Sequence, residues 1–224
     1  MLKKINLQML SVLSAVIIAT VIICICAISC SGGKLDFKNT YYFVCYKMTD
    51  NAVSAGSISQ SVSNYGGAGY ILQRGENYYI TFSCYYSDDE AKAVCENLKD
   101  RNMECSVLKV ETGDYRLPVN TSQNNDQLYL GNLNTMHSLS SLAYECANGL
   151  DTGEFSQNKA KQILGSVTDT LNGLLKANPS NCFTESIQSV IEDCKRLGGG
   201  YLLSKNMRYI QISIVDKIIN AKLN

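Results

Sequence analysis

The chain has no tryptophan, a single histidine, two prolines and no surplus of either charge, with 20 Lys+Arg against 20 Asp+Glu in 224 residues. Nucleic-acid binding is driven by a basic face that neutralises phosphates, and the charge balance removes that driver. Beyond the first thirty residues Lys3 and Lys4 fall away and the acids exceed the bases by two. With His137 as the only histidine, the cysteines have no partner for zinc-finger spacing, and a Cys–His nucleophilic pair has no local support. No Walker loop, dinucleotide fingerprint, acid pair or metal triad stands at readable spacing, so no catalysis, cofactor or metal is expected. The acids Asp88, Asp89 and Glu90 sit where a helix start favours them. The Gly66-Gly67-Ala68-Gly69 run follows a helical stretch rather than a strand, and reads as punctuation rather than a phosphate cradle. The prolines, Pro118 and Pro179, both fall at breaks between elements.

What is present begins with an apolar run. Lys3 and Lys4 precede an uncharged stretch over residues 7–29, and about 20 apolar residues suffice to cross a bilayer as a helix. The lysines before it predict a cytoplasmic tail (residues 1–6), a transmembrane helix (residues 7–30) and everything later outside the cytoplasmic membrane. In an alternative reading Ala27-Ile28-Ser29-Cys30 is a lipoprotein cleavage site, Cys30 is lipidated and the run is a removed signal. Either way the remainder would be tethered to the outer face, through a linker at residues 31–39. Of ten cysteines, Cys24, Cys26 and Cys30 belong to this run. The other seven, an odd count, argue against a fully paired framework and read mainly as small core residues, with a disulfide between two C-terminal helices left open.

Tyrosine dominates the aromatics, 14 against 5 phenylalanines. Two tyrosine-rich strands echo each other, Thr40-Tyr41-Tyr42-Phe43-Val44-Cys45-Tyr46 and Asn77-Tyr78-Tyr79-Ile80-Thr81-Phe82-Ser83, with Tyr41 and Tyr78 standing 37 residues apart. Each is followed by a turn, an amphipathic stretch and a second strand, so two strand–helix–strand units should share one sheet over residues 40–112. Asp50-Asn51 opens the first helix, Gly75-Glu76-Asn77 forms a hairpin turn, and Ser87 with Glu90 signals a capping box. Right-handed crossovers put both helices on one face. The more apolar strand positions, Phe43, Cys45, Ile80 and Phe82, are expected to face them, leaving an open face that carries Tyr42, Tyr46, Tyr79, Thr81 and Ser83.

Residues 113–125 are polar and read as a linker. From residue 126 to 224 the period turns helical. Leu139, Leu142, Ala143 and Cys146 mark one helix. Ala160, Ile163, Leu164, Val167 and Leu171 mark a second, Ile187, Val190, Ile191 and Cys194 a third, and Met207, Ile210, Ile214 and Ile218 a fourth. Short connections predict a separate small helical bundle.

The segments Tyr42-Phe43-Val44-Cys45, Tyr78-Tyr79-Ile80-Thr81-Phe82-Ser83, Asp89-Glu90-Ala91 and Met103-Glu104-Cys105-Ser106-Val107 resemble a SPOR (sporulation-related repeat) domain over about a third of the chain. The resemblance implies a ferredoxin-like βαββαβ domain after a membrane helix, which together with the helical bundle read from the periodicity makes an α+β chain. It also implies binding to bacterial peptidoglycan glycan strands stripped of stem peptides, in division or sporulation, through the open sheet face. Sugar rings stacking on aromatic faces would then use Tyr42, Tyr46, Tyr79 and Thr81, with Gln73 and Ser83 beside them. The alternative is a non-enzymatic scaffold that docks a partner membrane, envelope or division protein through sheet and bundle together.

Overall fold

The structure is a computed structural model that describes residues 34–35, 37–113, 115–116, 123–177 and 183–221. In chain order its elements are β1 (Lys34–Leu35), β2 (Thr40–Thr49), α1 (Ala52–Asn64), β3 (Tyr70–Arg74), β4 (Asn77–Tyr85), α2 (Asp88–Lys99), β5 (Ser106–Glu111) and β6 (Tyr115–Arg116), then α3 (Gln123–Asp151), α4 (Gln157–Ala177), α5 (Thr184–Gly198) and α6 (Ser204–Ile219). Local chemistry explains the boundaries. Asn51 caps α1 by accepting from the Ser54 N–H at 3.0 Å. Ser87 occupies the corresponding position of α2 without a side-chain cap bond, so the acids Asp88, Asp89 and Glu90 in the first turn are left to complement that terminus. Gly75, at φ +59°, turns the β3–β4 hairpin.

The four longer strands form one antiparallel sheet in the order β3–β4–β2–β5, while β1 and β6 pair as a separate two-stranded ribbon. Along β2–β4 the register steps from Val44↔Ser83 to Cys45↔Thr81 and then to Lys47↔Ile80, passing over Phe82 on one strand and Tyr46 on the other. Such bulges bend and twist the pair locally.

Both faces of this sheet are covered. On one, Val44 and Tyr85 pack with Ala91, Cys95 and Leu98 of α2, and Ile80 packs with Ala55 and Val62 of α1. On the other, Tyr41, Phe43, Cys45, Leu72 and Cys84 share a single buried cluster with residues of all four C-terminal helices, among them Leu133, Met136, Val167, Ile191, Ile210 and Ile214. The chain is therefore not a free-standing ferredoxin-like domain followed by a bundle of its own, and the expected fold class is corrected. The sheet and the four C-terminal helices share one core, and α1 and α2 close smaller clusters against the other face. The expected faces are reversed along β2, whereas Ile80 and Phe82 of β4 lie toward α1 and α2 as expected. Phe43 and Cys45 lie under the C-terminal helices, and Tyr42, Val44 and Tyr46 lie toward α1 and α2. Because neither face is left to solvent, both strand sets must carry apolar surface.

The expected single-pass localisation finds no support in the described residues, where no helix is long and apolar enough to cross a membrane. The run at residues 7–30, with Cys30, lies outside the described residues.

Tyrosines tie the two layers. Each buries its ring at the junction and spends its hydroxyl on the opposite layer, the arrangement a half-polar aromatic favours. Tyr41 Oη meets His137 Nδ1 at 2.9 Å, Tyr86 Oη meets Ser140 Oγ at 2.8 Å, and Tyr70 Oη donates to Asp216 Oδ2 at 2.8 Å. Outside the sheet, Tyr115 Oη donates to the Ile218 carbonyl at 2.7 Å. Gln211, fully buried on α6, donates to the Cys84 carbonyl at 3.0 Å. Tyr70→Phe keeps the ring and removes one of the hydrogen bonds that hold the buried Asp216 carboxylate. A loss of about 1–3 kcal/mol is expected, read from the urea midpoint.

His137 sits among the rings of Phe37, Tyr41 and Tyr86, and burial lowers its pKa below the ordinary 6.5. The unfolded chain therefore takes up this proton first as pH falls. The contribution of the neutral imidazole is full above 6.5 and is lost as pH drops from there toward the lowered folded value. In that window His137 should make stability fall by at most about 1.4 kcal/mol per pH unit. A His137→Gln chain, unfolded in urea at the same pH values, should lack this part of the slope.

Candidate functional site

The residues expected to form a sugar platform are not brought together. Tyr42 is half-buried against the α2 cluster and Tyr46 against the α1 cluster, whereas Tyr79 packs on the core of the opposite face. Thr81 is buried and donates to the Tyr70 carbonyl at 2.9 Å, and Ser83 is buried within β4 opposite Val44. Only Gln73 is exposed, with its amide 3.4 Å from the Gly75 carbonyl.

A cleft of about 240 Å³ lies instead beside the start of β3, where α1 from one face and the α5–α6 connection from the other approach the same end of the sheet. Ser59, Gln60 and Ser63 line it from α1, Ala68 and Gly69 from the turn into β3, Arg196 from the end of α5, and Lys205, Asn206 and Tyr209 from the first turns of α6. Gly69 makes this junction close. Its φ is +65°, and a Cβ there would stand 2.6 Å from the Ser59 carbonyl oxygen. The Ser59 hydroxyl in turn donates to the Gly69 carbonyl.

The lining contains two cations and no acid. Arg196 is positioned from two sides, by Asp193 at 2.7 Å and by the Tyr209 ring, whose centroid is 4.9 Å from the guanidinium carbon. The hydrogen bond to Asp193 holds the Arg196 pKa above its ordinary value. Tyr209 is itself stacked edge-on against Tyr70 at 5.0 Å. Lys205 donates to the Ser63 carbonyl at 2.8 Å and has no carboxylate within ion-pair distance among the described residues. Asn206 accepts from the Leu203 N–H at 2.8 Å, which fixes the first turn of α6. Two tyrosines adjacent in sequence to this region are exposed, Tyr65 at 66% and Tyr201 at 73%. The cleft can hold a ligand carrying negative charge and hydroxyl or amide groups. Among the described residues no cluster of three or more His, Cys, Asp or Glu side chains could hold a metal ion.

Periodicity could not find this cleft, because its residues come from α1, α5 and α6, segments whose apolar stripes dominate the pattern. One signal was present. Five serines and a glycine stand within the thirteen residues of α1, where strong helix formers would otherwise be expected. Compared with known proteins, the chain matches no family model, no curated protein and no solved structure.

Proposed function

We propose that this protein is a non-catalytic binder of peptidoglycan glycan strands and that the cleft beside β3, rather than a sheet face, takes the ligand. One observation carries the proposal: an acid-free polar cleft in which Lys205 has no carboxylate partner among the described residues and Arg196 is held in place beside an aromatic ring. A glycan strand stripped of stem peptides keeps a free lactyl carboxylate on each muramic residue. That group complements Lys205, while hydroxyls and acetamido groups match Ser59, Gln60 and Asn206. The resemblance of residues 40–110 to a SPOR domain supports the same ligand class.

The test is co-sedimentation of the purified protein with amidase-treated sacculi, set against neutral chitin. A charge-assisted hydrogen bond contributes about 1.5–3 kcal/mol, so Lys205→Glu should weaken binding to the denuded strands by about ten- to a hundredfold. Circular dichroism should show the variant folded. Equal retention on chitin and on denuded strands would contradict a carboxylate-reading site, and unchanged binding by folded Lys205→Glu would remove the cleft from the account.

The docking of a partner protein is the second reading. It is favoured by the exposed Tyr65, Tyr201 and Leu203 side chains around the same region. Failure to sediment with any glycan, together with saturable capture of one envelope protein that Tyr201→Ala abolishes, would favour it.

A further inference from the structure

Six described cysteines are free thiols, and two of them stand apart from the rest. Cys45, Cys84, Cys146 and Cys194 are each buried among apolar side chains. Cys95 on α2 and Cys105 on the approach to β5 instead bring their sulfurs to 2.7 Å, with Cys105 Sγ also 2.9 Å from the Cys95 carbonyl oxygen. Two sulfurs at that separation stand between a bonded pair, at about 2.05 Å, and ordinary non-bonded contact. Cys95 is buried in the α2 core, and Cys105 is partly exposed, so one sulfur of the pair can be reached from solvent.

We propose that Cys95 and Cys105 form a disulfide that fastens the C-terminal half of α2 to the entrance of β5. The oxidant is a low-molecular-weight disulfide. The Cys105 thiolate attacks one of its sulfurs, forming a mixed disulfide and releasing one thiolate. The Cys95 thiolate then attacks the Cys105 sulfur, forming the protein disulfide and releasing the second. Two protein thiols and one small disulfide thus become one protein disulfide and two small thiols, with the protons passing to the released thiolates.

The position gives the bond a consequence. Strand β5 is an edge of the sheet, paired only with β2. The bond closes a short loop, 10 residues from cysteine to cysteine, and restrains that edge from its N-terminal end. Burial and the neighbouring Cys95 push the Cys105 thiol up to about 12, so exchange should accelerate as pH rises.

Trypsin makes the bond visible, because Lys99 and Arg101 lie between the two cysteines. The reduced full chain is incubated with oxidised glutathione at pH 8.5, blocked with iodoacetamide and digested without reductant. The expected product is residues 93–99 linked to residues 102–109, lost on adding dithiothreitol, with a higher melting temperature for the oxidised chain. Cys105→Ser replaces the more exposed partner, so it should fold, yield no linked peptide and melt at the same temperature with and without oxidant. Three results would overturn the proposal: recovery of both peptides alkylated after full exposure to oxidant, linkage of Cys105 to Cys45, or a linked pair that arises only in urea.

Discussion

Ending the chain at Gly113 should abolish the fold of what remains, although the remainder keeps every strand of the main sheet and both helices that cross it. Tyr41, Phe43, Cys45, Leu72 and Cys84 are buried with the C-terminal helices, and truncation would turn this whole set to water. Monomeric proteins rarely expose apolar patches larger than a few hundred Å². The same cut removes His137, Ser140 and Asp216, the partners of the Tyr41, Tyr86 and Tyr70 hydroxyls. The truncated chain is expected to be insoluble, or monomeric without dispersed amide resonances. A well-dispersed spectrum would mean that the sheet and α1–α2 stand alone, as the repeat pattern by itself suggests.

The second large effect is expected from Phe43→Ala. Phe43 is fully buried at the centre of β2, pairing with Cys84 on one side and Leu108 on the other. Its ring belongs to the cluster shared with the bundle, so the cavity opens where the two layers meet and neither can collapse into it without the other. A loss of about 3–5 kcal/mol is expected, a large part of the stability of an ordinary domain. Tyr42→Ala, at the neighbouring half-buried position beside α2, should cost less in the same urea titration. Equal losses would mean that the two faces contribute alike.

The element pattern of this protein was legible because it is local. Alternation in residues 41–46 and 78–83, Asn51 as a helix start, the Gly75 turn and the apolar steps of α4, α5 and α6 each act over a few residues. Which layer covers which was not legible, because alternation gives two faces and does not say what lies on each. With Tyr42, Val44 and Tyr46 opposing Tyr41, Phe43 and Cys45, both sets are apolar enough to be covered, and both are, one fully and the other with Tyr42 and Tyr46 half-buried. The abundance of tyrosine read as a surface platform, whereas four of these residues spend their hydroxyls inside the molecule on His137, Ser140, Asp216 and the Ile218 carbonyl. Those partners lie 54 to 146 residues away in sequence, a distance at which single-chain periodicity carries no information. The cleft was hidden for the same reason. Ser59 and Lys205 become neighbours only when α1 and α6 reach the same end of β3.

Scanning calorimetry of the full chain tests most directly whether sheet and helices are one cooperative unit. With a shared core, the chain should melt in a single transition whose van 't Hoff and calorimetric enthalpies agree, and Phe43→Ala should shift that one transition as a whole. Two resolved transitions, of which Phe43→Ala moves only the one assigned to the sheet, would contradict it.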